Sequence, residues 1–324
     1  MLAEGIRAHR WWIVAAAVGF AVLLTAPAYL TPFQVRVGQL FLFSAGLGVA
    51  WTILGGFAGY WSFGHTAFIG LGAFVAGAFE LHVPLGSPVA TMVAGTALGS
   101  LACAAVSAVI AYPILRLRGI YFAIAMLGVS QVFAELTNNV DAFKGTMGIN
   151  MPNAVPASME PQTFFYYVFV AATALTLGVA FWVKVSRLGY GLVSIREDED
   201  TARMLGVPTE RYKIWAFVLS ATLTGLLGIV YAHALGYITT GSVYRTDFSL
   251  NMIVYALLGG IGTIVGPVLG SALMVWLTQV VLGRLLDVHM FITGALLVAI
   301  VLLAPHGLVG FARKLLRRGA GGGA

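Results

Sequence analysis

The sequence predicts an all-α, polytopic integral membrane protein: a bundle of 8 to 10 transmembrane helices, some of them broken at glycine. Three observations predict it. Of 324 residues, 60% are hydrophobic and 9% charged, against roughly 25% charged in an ordinary soluble domain. The apolar residues fall in long blocks, without the half-buried periodicity of a soluble helix or strand. Glycine is abundant, at 40 residues, with two clusters lying between apolar blocks. Soluble enzymes, nucleic-acid binders and disordered chains are thereby excluded. Residues 1–324 read as a single transmembrane domain. The net charge of +6 fits loops rich in Lys and Arg on the cytoplasmic side.

A helix needs about 20 apolar residues to cross a hydrocarbon core of ~30 Å. Ten segments qualify as candidates: 11–30, 40–59, 65–83, 89–115, 119–136, 164–183, 214–238, 249–260, 263–283 and 290–305. The first follows Arg7 and Arg10 like a signal peptide, but it is long enough to span and no small-x-small cleavage site follows it. The eighth is too short for a regular crossing. The second and third are joined by glycines with no polar loop. If such pieces enter and leave on one side, eight crossings remain.

Charge fixes the orientation better than the count. With the N-terminus inside, 14 of the 18 Lys and Arg fall on the cytoplasmic side, leaving Arg36, Lys144, Arg245 and Arg284 outside. The longest outside segment, 137–163, carries Asp141 and Glu160 against one lysine, Lys144. Both termini are therefore expected in the cytoplasm of a cell bounded by this membrane.

The reactive inventory is thin. The single cysteine, Cys103, cannot form an intrachain disulfide and sits in an apolar run. Six scattered histidines lack the spacing of a helical metal site. No G-x-x-x-x-G-K-[ST] phosphate loop, G-x-S-x-G or H-E-x-x-H occurs, so neither an ATPase nor a hydrolase is expected in this chain, and no cofactor or metal.

Glycine and a few polar residues mark a candidate pathway. Leu54-Gly55-Gly56 ahead of Ser62 and His65 looks locally like Leu258-Gly259-Gly260 ahead of Gly266-Pro267. Transporters use broken helices of this kind to turn backbone dipoles toward a substrate, whereas Gly55/Gly59 and Gly266/Gly270 are also helix-contact spacings. The candidate pathway residues are Ser62, His65, Gln131, Asn251, Tyr255, Gly259 and Gly260. His65 has a structural alternative, tying down a loose backbone carbonyl. For Asn251 and Tyr255 the rival is hydrogen bonding between helices. Glu135 shares a helix face with Gln131 near the outer interface, where a carboxylate costs little.

One long charged loop, 186–213, lies between the sixth and seventh spans. Ser194 with Glu197 forms a capping-box spacing, Gly206 suits a left-handed C-terminal turn, and Pro208 follows. These signals predict a helix over 195–205, with acids in its first turn and Arg203 in its last. Ile195, Ala202, Met204, Leu205 and Val207 are too few to bury it in its own protein, so it suits a partner's groove. A merely solvated loop helix is the alternative.

Five segments in order resemble the LivM-type permease subunits of ATP-binding-cassette importers for branched-chain amino acids: 59–72 (GYWSFGHTAFIGLG), 115–128 (LRLRGIYFAIAMLG), 186–206 (SRLGYGLVSIREDEDTARMLG), 257–269 (LLGGIGTIVGPVL) and 304–310 (APHGLVG). The resemblance implies a bacterial inner-membrane protein paired with a homologous second permease, two cytoplasmic ATPases and a periplasmic substrate-binding protein. No nucleic acid is involved; the other contact is membrane lipid. It also implies that the loop is the ATPase-coupling segment, with Ile195, Arg196, Glu197, Asp198, Glu199, Ala202, Leu205 and Gly206 as its coupling residues. The chain departs from the family at Lys144-Gly145-Thr146-Met147-Gly148 and Gly59-Tyr60-Trp61, both near regions expected to face substrate. The residues alone leave a second class open, a stand-alone ion-coupled transporter. That class needs coupling acids within the spans, and Glu80 and Glu135 sit near span ends.

Overall fold

The computed structural model describes residues 23–83, 85–143, 147–281 and the single residues 308 and 310. Most of the first predicted span, all of the tenth and both termini lie outside the described residues. Those described form helices α1 (Pro32–Leu54), α2 (Thr66–His82), α3 (Pro88–Ile114), α4 (Ile120–Asn139), α5 (Pro161–Val185), α6 (Arg187–Glu197), α7 (Glu199–Met204), α8 (Thr209–Leu235), α9 (Thr240–Val243), α10 (Thr246–Gly259) and α11 (Val265–Val275). Two short strands, β1 (Ile149–Asn150) and β2 (Tyr237–Ile238), pair antiparallel with Ile149 opposite Ile238.

Helix starts follow local chemistry more closely than hydropathy windows do. α1 begins eight residues before the predicted span because Thr31, Pro32 and Gln34 build a complete start signal. The Thr31 side chain accepts from the Gln34 N–H, the Gln34 side chain returns to the Thr31 N–H at 2.9 Å, and Pro32 fills the first turn. α8 starts at Thr209, five residues before its apolar run, which brings Lys213 into the helix. It ends on Gly236 in the left-handed region, φ 75°.

Five described helices, α1, α3, α4, α5 and α8, are long and apolar enough to cross a bilayer. α10, with 14 residues, measures only about 21 Å at 1.5 Å per residue, so it cannot cross alone. It turns back through Gly260 and Gly262 into α11, whose path continues as a π-helical turn, Trp276–Val281. The prediction of helices broken at glycine is thereby met, and the chain is a multi-pass membrane protein.

α1 is the centre of the bundle, packed by α5, α8, α10 and α11. In its most apolar window 72% of the residues are buried, against 22% in α3 and in α4. The outer faces of α3 and α4 instead present Leu101, Val109, Ile124 and Val132, the apolar exterior that lipid or a membrane partner requires. Glycine permits the closest approaches. A Cβ on Gly64 would collide with the Met126 carbonyl of α4, and one on Gly259 with the Gly266 carbonyl.

Candidate coupling and pathway sites

The loop helix differs from the one expected over 195–205. Ile195, Arg196 and Glu197 close α6, the chain extends at Asp198 (φ −161°, ψ 113°), and α7 begins at Glu199. Two start signals compete here, and Asp198 wins: its carboxylate accepts from the Thr201 N–H at 2.6 Å, which also holds its pKa below the usual carboxylate range. Ser194 instead donates to the Tyr190 carbonyl at 3.1 Å, inside a continuing helix. The far end is as expected. Gly206 adopts φ 84°, its N–H reaches the Arg203 carbonyl at 3.0 Å, and Val207 reaches the Ala202 carbonyl at 3.0 Å, a complete Schellman closure.

The loop is fastened to the bundle more firmly than its composition suggests. Ile195 and Ala202 are buried in this chain's own core. Glu199, expected as a docking residue, turns inward. Its carboxylate lies 2.7 Å from Lys213 Nζ and 2.7 Å from the Tyr60 hydroxyl, with Arg118 at 3.6 Å and Arg203 at 3.4 Å. Lys213 also donates to the Leu115 carbonyl at 3.2 Å. Burial opposes the charge on Glu199, yet the hydrogen bonds from Lys213 and Tyr60 and the nearby cations hold its carboxyl below the ordinary range. The same burial, and the carboxylate it faces, push the Tyr60 phenol up. Arg118 grips the exposed Asp200 through two 3.0 Å bonds. Glu199 thus joins α7 to α8, to the α1–α2 junction and to the α3–α4 turn. Of the loop's apolar residues, Met204 and Leu205 project, 80% and 79% exposed, next to the exposed Asp198, Asp200 and Arg203. Glu197 stands beside Arg196 at the surface.

The predicted pathway residues separate into groups. Ser62 and His65 are fully buried. Ser220 donates to the Ala50 carbonyl at 2.7 Å, so its oxygen accepts from His65 Nε2, 2.7 Å away. His65 Nδ1 then accepts from Ser62, also at 2.7 Å. Both ring nitrogens are satisfied within the protein, by the hydroxyls of Ser62 and Ser220 and not by the backbone carbonyl of the structural alternative. The Ser62 carbonyl takes the Trp51 indole N–H at 2.9 Å. Beside this set, and missed in the sequence, Thr66, Ser130 and Ser249 form a buried hydroxyl cluster with oxygen separations of 3.0 and 3.1 Å. It ties α2, α4 and α10 together.

Tyr255 is buried where α1, α10 and α11 cross. Asn251 is half-buried one turn earlier, whereas Gln131 is exposed on α4. Gly259 and Gly260 are buried and precede a turn that meets Gly56: a Cβ on Gly56 would lie 3.2 Å from the Gly262 nitrogen. The two glycine clusters that look alike in sequence are therefore neighbours in space.

Glu80, placed near a span end by its position, lies in the last turn of α2 and is buried against α8, its Oε2 2.9 Å from His233 Nε2. His233 Nδ1 lies 2.9 Å from the Ile229 carbonyl, which can only accept. One further proton must therefore sit between the ring and the carboxyl. Among the described residues no group of three or more potential metal ligands occurs.

Comparison with known proteins places this arrangement. A family model described as branched-chain amino acid transport system / permease component matches residues 39–301. The high-affinity branched-chain amino acid transport system permease protein LivM of Escherichia coli K12 is 26% identical over 330 aligned positions, covering 92% of this chain and 76% of that protein. LivM of Salmonella typhimurium LT2 is 25% identical, over 93% of this chain and 77% of that protein. A shorter match, 31% identical over 140 positions, covers 40% of this chain and 39% of the autoinducer 2 import system permease protein LsrC of Yersinia pseudotuberculosis. No solved structure matches the chain. The chain belongs to the branched-chain amino acid transport system permease family and has the role of an ABC transporter permease, not of a stand-alone carrier.

Proposed function

We propose that this chain is the non-catalytic permease subunit of an ATP-driven importer that moves branched-chain amino acids, or related small amino acids and amides, into the cytoplasm of a bacterium. It works in the inner membrane with both termini cytoplasmic. A homologous second permease completes the pathway, two cytoplasmic ATPases drive it, and a periplasmic binding protein delivers the ligand. Hydrolysis of ATP belongs to the ATPases.

The carrying observation is the mounting of α7. A solvated loop helix needs no anchoring, yet α7 is capped at both ends and pinned through Glu199 to three other parts of the bundle. It turns Met204 and Leu205 outward. A stiffly held apolar tip transmits a push, and burial of two such side chains in a groove contributes roughly 1.5–3 kcal/mol each. The pathway is expected to pass the Gly55–His65 junction and the segment from Asn251 to Gly262, where broken helices expose backbone dipoles. Tight binding midway would slow release, so selection suits the delivery protein.

Uptake of labelled leucine by cells carrying the whole transporter, with amino acids, amides and aromatic acids as competitors, tests the ligand class. Loss of leucine uptake on deletion of this gene supports it. Transport confined to aromatic acids refutes the ligand class and leaves the permease role standing.

A further inference from the structure

Two hairpins of the bundle turn on glycine at one place. α1 passes into α2 through a turn with Gly59 at φ 76°, and α10 passes into α11 through one with Gly262 at φ 77°. The turns touch at Gly56 and Gly262. One side chain from the charged loop lies across both. Arg196 Nη1 donates to the Gly56 carbonyl at 3.0 Å. A Cβ on Gly59 would stand 2.9 Å from Arg196 Cγ, and one on Gly262 2.6 Å from Nη1. The aliphatic stem therefore rests on the first turn and the guanidinium reaches the second.

Other contacts do not account for this placement. The second arm of the fork meets Glu197 at 2.9 Å, but that carboxylate is 71% exposed, and such surface pairs contribute little. Three residues on, Glu199 bonds Tyr60 at the far end of the first turn. The loop thus holds the α1–α2 turn at Gly56 and at Tyr60, and reaches the α10–α11 turn through Arg196. Beside the clasp a cleft of about 390 Å³ opens, walled in part by Gly59, Trp61, Arg118, Ile120 and Arg196. It leaves room for the turns to shift without repacking the core.

We propose that Arg196 is a positioning residue that clasps the two glycine turns into one gate, so that a push on α6 and α7 moves both hairpins together. The proposal rests on the functional reading above, and it separates two tasks within the loop. Met204 and Leu205 meet the ATPase, whereas Arg196 passes the movement inward. A long side chain ending in a flat guanidinium suits the task, and the compact ammonium of lysine replaces it only in part.

The test uses the assembled transporter in proteoliposomes. R196A is expected to retain ATPase co-purification, to lower uptake at least tenfold, and to leave ATP hydrolysis running without its dependence on ligand. R196K should recover only part of the uptake. G262A keeps Arg196 but sets a methyl group against its guanidinium, and should give the same separation of hydrolysis from uptake. The double variant R196A/G262A should be no worse than the worse single variant, because both remove one clasp. Wild-type uptake with ligand-dependent hydrolysis in R196A overturns the proposal, as does a multiplicative loss in the double variant. Where R196A fails to assemble, normal coupled uptake by G262A overturns it instead. Absence of the ATPase from the wild-type complex overturns the functional reading itself, and the wild-type control separates that result from failure of the clasp.

Discussion

Glu199 sets the behaviour of the loop. Its carboxyl lies below the ordinary range, so its contribution is fully present above the unfolded value of about 4.3. That contribution is lost as the pH falls through the lower folded value. A nitroxide on Met204→Cys in a Cys103→Ser background should therefore show unchanged mobility from pH 8 to 5 and loosen only below about pH 4. Loosening near pH 6 would contradict the hub. Lys213→Met removes the nearest cation from Glu199 but leaves Tyr60, Arg203 and Arg118 beside it, so the loss should be about 1–3 kcal/mol, readable as a lower thermal midpoint in detergent. At the other buried pair, Glu80→Gln keeps a donor for His233 and should leave the midpoint close to wild type. Glu80→Leu leaves the ring nitrogen unpaired and should cost about 1–3 kcal/mol.

At the scale of elements, glycine decides where helices end and how closely they meet. Gly259→Ala would drive a methyl group into the Gly266 carbonyl and is expected to abolish correctly folded protein, seen as loss of the monodisperse peak in size-exclusion chromatography. Gly206→Ala is milder. Nothing stands within 4 Å of its Cβ, so only the left-handed backbone is strained, at roughly 1–2 kcal/mol, and the effect should stay within α7.

The long helices were legible because an uninterrupted apolar block of spanning length admits few other structures. Their starts were less so, since Thr31-Pro32-Gln34 and Thr209 lie outside the apolar windows that define a span. In the loop, Ser194 and Asp198 offer rival caps, three residues before Glu197 and Thr201 respectively, and the choice depends on whether α6 continues, which burial of Ile195 and Leu192 decides. The hydroxyl cluster of Thr66, Ser130 and Ser249 was not legible at all. Each is an isolated small polar residue, and only the tertiary fold brings together positions as much as 183 apart in sequence. The same holds for Glu80 with His233, 153 residues apart, and for Glu199, which composition alone assigns to solvent.

For the whole molecule, a central α1 surrounded by α5, α8, α10 and α11 links both glycine turns to a loop on the same end of the bundle. This arrangement suits a device moved from outside, because the apolar tip at Met204 and Leu205 is presented while its support is buried. Introducing charge at the tip, Met204→Glu with Leu205→Glu, should release the ATPase and lower ATP-dependent uptake at least tenfold with little change in the thermal midpoint of the permease.

The most direct measurement is leucine uptake by proteoliposomes that contain the two permeases and the delivery protein, with and without the ATPase and ATP. Uptake that requires both ATPase and ATP, and that disappears with the Met204/Leu205 variant, is the predicted result. Uptake of leucine by this chain without any ATPase, driven by an imposed ion gradient, would contradict the account.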